Sequence, residues 1–195
     1  DDDDRVVALA VQVLRELPDG PAWYLCDLKV HPAAQGRALP LRMFTRSFVS
    51  GFRTCRRGYA VSMNPGDGSV NRVVRMLQRI RQVPIDVDTQ VRLYSLTSDE
   101  LTAFSPTLTS CVGRWSLLSL QGQKDIVLQS TQAPMNLWHL QHGPLADSGA
   151  GQTAPVDGGV HMFSAVDGGD LDRAARAAGF STTTTATVLQ SGMPN

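Results

Sequence analysis

A chain of 195 residues, 42% of them hydrophobic, carries enough apolar material for one large core or two small ones. No run approaches 18 consecutive apolar residues, which excludes a membrane-crossing helix; the start lacks the basic-then-apolar profile of a secretory signal, so a cytoplasmic globular protein is expected. The formal charge is zero but segregated: Lys29 to Arg92 holds twelve of the 18 basic residues and three acids (Asp67, Asp86, Asp88), a local excess of +9 that the flanks cancel.

The basic middle favours a polyanionic ligand by attraction and steering, although most of its arginines are expected on solvated helix faces. Nucleic acid is a weaker choice, because aromatic residues make up 6% of the chain and none cluster with the arginines as a stacking platform would. Cys26, Cys55 and Cys111 are odd in number and widely spaced, which reads as free buried thiols. His139-x-x-His142 lacks the company of further ligands and reads as structural, so no metal is expected.

Asp1 to Asp4 form a solvated acidic start and are set aside, and the direct entry into a strand at Arg5 suggests that further chain precedes it. Arg5–Leu17 is rich in Val and Leu, Pro18-Asp19-Gly20-Pro21 is a turn, and Trp23–Val30 is a second strand, most simply an antiparallel hairpin. Strict alternation would set Tyr24, Cys26, Leu28 and Val30 on one face and Trp23, Leu25, Asp27 and Lys29 on the other.

From Leu41 the period changes to about 3.6. Leu41, Phe44, Phe48, Phe52 and Cys55 form one stripe and Arg42, Arg46, Arg53 and Arg57 another, the pattern of an amphipathic helix that Gly58 is expected to stop. Gly51 weakens it by roughly 1 kcal/mol, less than the buried phenylalanines return. Tyr59–Met63 reads as a buried strand. After the Asn64-Pro65-Gly66-Asp67-Gly68 loop, Ser69 can cap a helix with the stripe Val70, Val73, Val74, Leu77 and Ile80. A strand, helix, strand crossover makes Trp23–Val30 and Tyr59–Met63 parallel neighbours, and ligands then bind beyond their carboxyl ends, near Val30–Pro40 and Asn64–Asn71.

Beyond Val83-Pro84 the pattern is β-rich, with strands expected at Val91–Leu96, Trp115–Leu120, Ile126–Ser130 and Asn136–Leu140. Pro144–Gly159 is a Gly/Pro/Ser/Asp-rich loop. A closing unit has a strand at Val160–Val166, a helix capped by Asp170 and ended by Gly179, and a strand at Thr183–Ser191. Two regions are expected, residues 1–96 and 97–195, with a mixed α/β architecture.

The run from Tyr24 to Leu41 resembles the signature of the GNAT superfamily of N-acetyltransferases, in which a strand ending L-x-V-x-P enters a Gln/Arg-x-x-Gly-x-Gly/Ala loop whose amides hold the pyrophosphate of an acyl-coenzyme A. Gln35 matches the first loop position; Ala38 stands where Gly is usual, and Pro40 replaces Gly or Ala, removing one possible amide donor. The resemblance covers Arg5 to Ile80 well and returns at Val160–Ser191, with Ala178-Gly179-Phe180 after its helix. It implies a central mixed sheet flanked by helices, the second half being either a partial second copy or the end of one enlarged sheet.

It further implies an acyl-CoA-dependent N-acyltransferase with acetyl-CoA, or another acyl-CoA, as co-substrate and a small-molecule amine or protein amino group as acceptor. The alternative is a non-catalytic CoA-binding or protein-interaction module. Carried over residue by residue, Leu28 and Val30 lie by the thioester, Gln35, Gly36, Arg37 and Ala38 with Arg42 surround the pyrophosphate, and Asn64 or Asn71 meets the pantetheine. The family's tyrosine, seven residues after the helix asparagine, falls on Gln78, which cannot donate as a phenol does. Asp27 and Tyr24 are the remaining candidates for base and acid. No membrane partner is implied, and the free edges of a β-rich second half make a homodimer plausible.

Overall fold

The computed structural model describes residues 5–51, 54–67, 69–79, 85–118, 124–127, 134–143 and 152–192. The chain forms two compact units, Asp1–Thr89 with Ala186–Asn195, and Gln90–Thr185.

In the first unit, β1 (Ala8–Leu17) and β2 (Gly20–Val30) make the expected hairpin. Its tight turn needs Gly20, whose φ of 109° only glycine adopts without strain. Helix α1 (Leu39–Gly51) crosses to β3 (Gly58–Met63), which lies parallel to β2, and β3 pairs antiparallel with β9 (Thr184–Ser191). The last strand, read from the sequence as part of the second half, thus completes the sheet of the first. Helix α2 (Arg72–Leu77) follows β3 and buries Val74 and Leu77 against Leu189, with Phe44 of α1 and Ala60 of β3 packed alongside.

Several expectations change here. Helix α1 ends at Gly51 and Gly58 opens β3; Phe52, Arg53 and Ile80 lie outside the described residues. Gly51 is at the helix end because Trp23 leaves no room: a Cβ there would sit 3.1 Å from the indole nitrogen, which donates to the Gly51 carbonyl at 3.1 Å. Gly51→Ala is therefore expected to lower stability by about 1 kcal/mol through overpacking, read from the urea midpoint. The cap of α2 is Asn71 and not Ser69. The Asn71 side chain accepts from the Val73 amide at 2.8 Å, whereas the Ser69 amide is held by the Asp67 carboxylate.

The second unit contains β4 (Asp86–Leu96, entering from the first), α3 (Ser98–Val112), β5 (Trp115–Leu117), β6 (Lys124–Val127), β7 (Pro134–His142), β8 (Val160–Val166) and α4 (Asp170–Ala177). Strand β8 lies between antiparallel β4 and parallel β7, and β5 and β6 both pair antiparallel with β7. Residues 119–120 and 128–130, expected as strand, and 144–151 of the expected loop lie outside the described residues.

Helix α3 corrects the reading of this region as strands alone. Thr97 and Glu100 form a reciprocal capping box, and Leu101, Phe104 and Leu108 are buried at helical spacing. They join Tyr94, Phe163, Trp115 and Trp138 in one core cluster, within which Tyr94 and Phe163 stack at 5.2 Å. Gly169, not Asp170, is the N-cap of α4. It has no side chain to cap with, and Asp172 one turn in accepts from the Gly168 amide at 3.0 Å instead. At the other end Gly179, at φ 86°, and Phe180 return their amides to Arg176 and Ala175, a Schellman stop. Cys26, Cys55 and Cys111 are free and half-buried.

Candidate functional site

Strands β2 and β3 part company above a short shared ladder. Trp23, Tyr24 and Leu25 pair with Gly58, Tyr59 and Ala60, and both strands then continue, to Val30 and Met63, with no further rung among the described residues. The departure coincides with a bulge. Cys26 pairs with Val11 and Lys29 with Leu9, so two residues of β2, Asp27 and Leu28, oppose the single Ala10. Asp27 takes φ 50°, rare for a residue with a side chain. A bulge of this kind bends its strand and increases local twist, which turns β2 out of register with β3. It also breaks the strict alternation expected from sequence: Leu28 and Val30 do not continue the Tyr24/Cys26 face.

At the open end of the fork stands the loop before α1. His31 caps a short 3-10 turn, Pro32–Ala34, its imidazole accepting from the Ala33 amide at 3.2 Å. Gly36 and Ala38 then both take left-handed backbone, φ 84° and 53°, and the first intrahelical bond runs from the Arg42 amide to the Ala38 carbonyl. Amides preceding that bond have no intrahelical partner, and the helix dipole adds positive potential to them. Gln35, Gly36, Arg37, Ala38 and Arg42 are all exposed around this turn. Pro40 is the second helical residue, where its missing N–H costs no intrahelical bond.

Ala38 carries a strain that glycine would not. Left-handed backbone costs an L-residue about 1–2 kcal/mol, so Ala38→Gly is expected to raise stability by up to about 1 kcal/mol, measured as a higher denaturation midpoint.

Asn64 and Asn71 flank the tip of β3. The Thr187 hydroxyl donates to Asn64 at 3.0 Å, and the Asn71 amide donates to the Met63 carbonyl at 2.7 Å. With its oxygen engaged by Val73 as well, Asn71 principally fixes the start of α2 against the end of β3. Gln78 is the exposed C-cap of α2.

The two candidate acid–base residues sit differently. Asp27 is exposed on the bulge. Tyr24 is half-buried on the face away from Leu25, stacked on Tyr59 at 4.9 Å with the Arg15 guanidinium 4.7 Å over its ring. Burial first, with Cys26, Tyr59 and Asp27 adding to it, raises the Tyr24 phenol above its ordinary value of 10.0 despite Arg15. The ring is thus a protonated hydroxyl at neutral pH. Sequence reasoning did not single out the bulge, the left-handed Ala38 or the His31 cap; only the Gly36 and Pro32 punctuation hinted at the last two. Among the described residues no cluster of three or more His, Cys, Asp or Glu side chains comes together, and no helix is long and apolar enough to cross a membrane.

The chain is similar to the crystal structure of a "putative acetyltransferase" from Thermoplasma acidophilum, with a TM-score of 0.50 over 95% of this chain and 74% of that one at 11% identity. The likeness is one of fold. An acetyltransferase from the GNAT family of Colwellia psychrerythraea also matches, over 96% of this chain and 81% of that one, at 12% identity and a TM-score of 0.37. No family model and no curated protein sequence matches the chain. The forked strands and the turn into α1 lie in the stretch of chain where the sequence resemblance falls.

Proposed function

We propose that the protein is an acyl-CoA-dependent N-acyltransferase, acetyl-CoA being the simplest donor. The observation that carries this reading is the fork between β2 and β3 with left-handed Gly36 and Ala38 at its open end. The loop amides before Arg42 would receive the pyrophosphate, as helix starts do, and Arg37 and Arg42 would add charge-assisted contacts. Asn64 and Asn71 would border the pantetheine arm, and a backbone amide near Leu28 to Val30 would polarise the thioester oxygen.

In the reaction the neutral acceptor nitrogen attacks the thioester carbonyl, the C–S bond breaks, and the amine proton and the thiolate must be accounted for. Asp27 would take the proton from nitrogen. Tyr24, held protonated, would be the donor that converts the departing thiolate to free CoA thiol.

Acetyl-CoA at 100 times its Kd is expected to add about 2.7 kcal/mol to stability, seen as a rise in Tm; no shift at any concentration would overturn the reading. Thiol release with a panel of amines separates catalysis from mere binding. The absence of a phenol at Gln78 favours a CoA-binding module without turnover, and a Tm shift with no thiol release across the panel would establish that second reading. If turnover is found, Tyr24→Phe is expected to lower kcat by about 10²-fold or more with little change in KM, whereas a purely packing role for the ring would leave kcat intact.

A further inference from the structure

Between the helices and the sheet of the first unit lies a cavity that a two-carbon acyl group does not need. Its walls are Leu25 of β2, Ala60 of β3, Leu189 of β9, Phe44 of α1, Leu77 of α2, and Ile85. Leu25 and Ala60 are also the last rung that β2 and β3 share before they part. The cavity therefore begins where the fork ends, on the face of the sheet that α1 and α2 cover. From that rung it runs down to Trp23 and Gly58, two residues earlier on each strand, a depth of about 7 Å at the usual strand rise.

We infer that this cavity receives the acyl chain of the donor, so that the preferred co-substrate is a medium-chain acyl-CoA and not acetyl-CoA. The inference rests on the acyltransferase reading above and deepens it. A thioester laid in the fork has its carbonyl carbon beside the upper end of the ladder, and an apolar continuation on the helix side runs past Leu25 and Ala60. An acetyl methyl would be accommodated at the fork itself. Packed interiors tolerate few voids, and an apolar cavity excludes water and accepts apolar guests. Arg57 and Ser191 border the same space, whose lining is almost wholly apolar.

Each methylene moved from water into such walls improves affinity about four-fold. Hexanoyl-CoA, four methylenes longer than acetyl-CoA, is expected to bind on the order of 100-fold more tightly, as measured by titration calorimetry on the full chain with CoA, acetyl-CoA and hexanoyl-CoA. Equal affinity for the two thioesters would overturn the pocket assignment and leave the acyltransferase reading standing. Failure of all three ligands to bind would overturn both. Filling the cavity with Leu77→Trp, or with Ala60→Val if that variant does not fold, is expected to reduce the hexanoyl-to-acetyl preference to within about three-fold; a folded variant that keeps the full preference would also overturn the assignment.

Discussion

Asp172→Ala is expected to destabilise the protein by about 3–5 kcal/mol, the largest single loss anticipated here. The side chain is fully buried at the start of α4, and four groups converge on it. The Tyr94 hydroxyl donates at 2.5 Å and the Gly168 amide at 3.0 Å, while the Arg176 and Arg92 guanidinium nitrogens lie 3.4 and 3.6 Å away. Removing the carboxylate takes away the acceptor of a buried hydroxyl and of a backbone donor. Thermal or urea unfolding of the variant beside Tyr94→Phe, which deletes one partner and should cost about 1–2 kcal/mol, would apportion the loss. An effect below 1 kcal/mol for Asp172→Ala would show the network to be dispensable.

The same cluster fixes a pH dependence. Burial by itself would raise the Asp172 carboxyl, but the hydrogen bonds from Tyr94 and Gly168 and the charges of Arg176 and Arg92 outweigh it and hold the group below its ordinary 3.8. A carboxyl whose folded value is depressed binds fewer protons folded than unfolded. Its contribution is complete above about pH 4 and drains away as pH falls through the folded value. Unfolding midpoints measured from pH 6 down to pH 3 should therefore fall less steeply in Asp172→Asn than in the unaltered chain.

Gly36→Val is expected to weaken acyl-CoA binding by at least about ten-fold and to cost about 1–2 kcal/mol of stability. The space around Gly36 is open, with no atom within 4 Å of where a Cβ would stand, so the penalty is not a clash. It is conformational. At φ 84° a β-branched residue is an outlier, and relaxing the turn would re-aim the amides that precede α1. Because Gly36 is exposed, little packing is lost with it. Calorimetric titration of acetyl-CoA and hexanoyl-CoA into the variant checks this, and unchanged affinity would show that the loop amides do not grip the donor.

The crossover from β2 through α1 to β3 was legible because the hydrophobic period changes from two to 3.6 at Leu41 and back at Tyr59, and because parallel neighbours follow from such connections. Helix α3 was equally legible in principle. Thr97-Ser98-Asp99-Glu100 is a capping box in plain sequence, but Pro106 inside the helix and the Val- and Thr-rich strands around it mask the period. The bulge at Asp27 was not legible, since nothing in Cys-Asp-Leu-Lys announces an extra residue until its partner strand is known. Ser69 and Asn71 are both competent caps two residues apart, and the Asn71 bond to Met63 decides between them through a tertiary contact that sequence does not display. The chemistry was least legible, because Gln78 falls where the resemblance calls for a tyrosine and Tyr24 owes its raised phenol first to burial and then to Cys26, an environment set by strand pairing.

Strand β9 has a consequence for biogenesis. The hydrogen bond from Thr187 to Asn64 joins positions 123 residues apart, and all of β3 waits for the same late segment. On the ribosome, the N-terminal hairpin and its helices emerge with one flank of β3 uncovered until β9 follows. Vectorial synthesis should thus leave the forked strands unsealed until β9 emerges, with nascent-chain exposure of β3 as the step at which chaperones would engage.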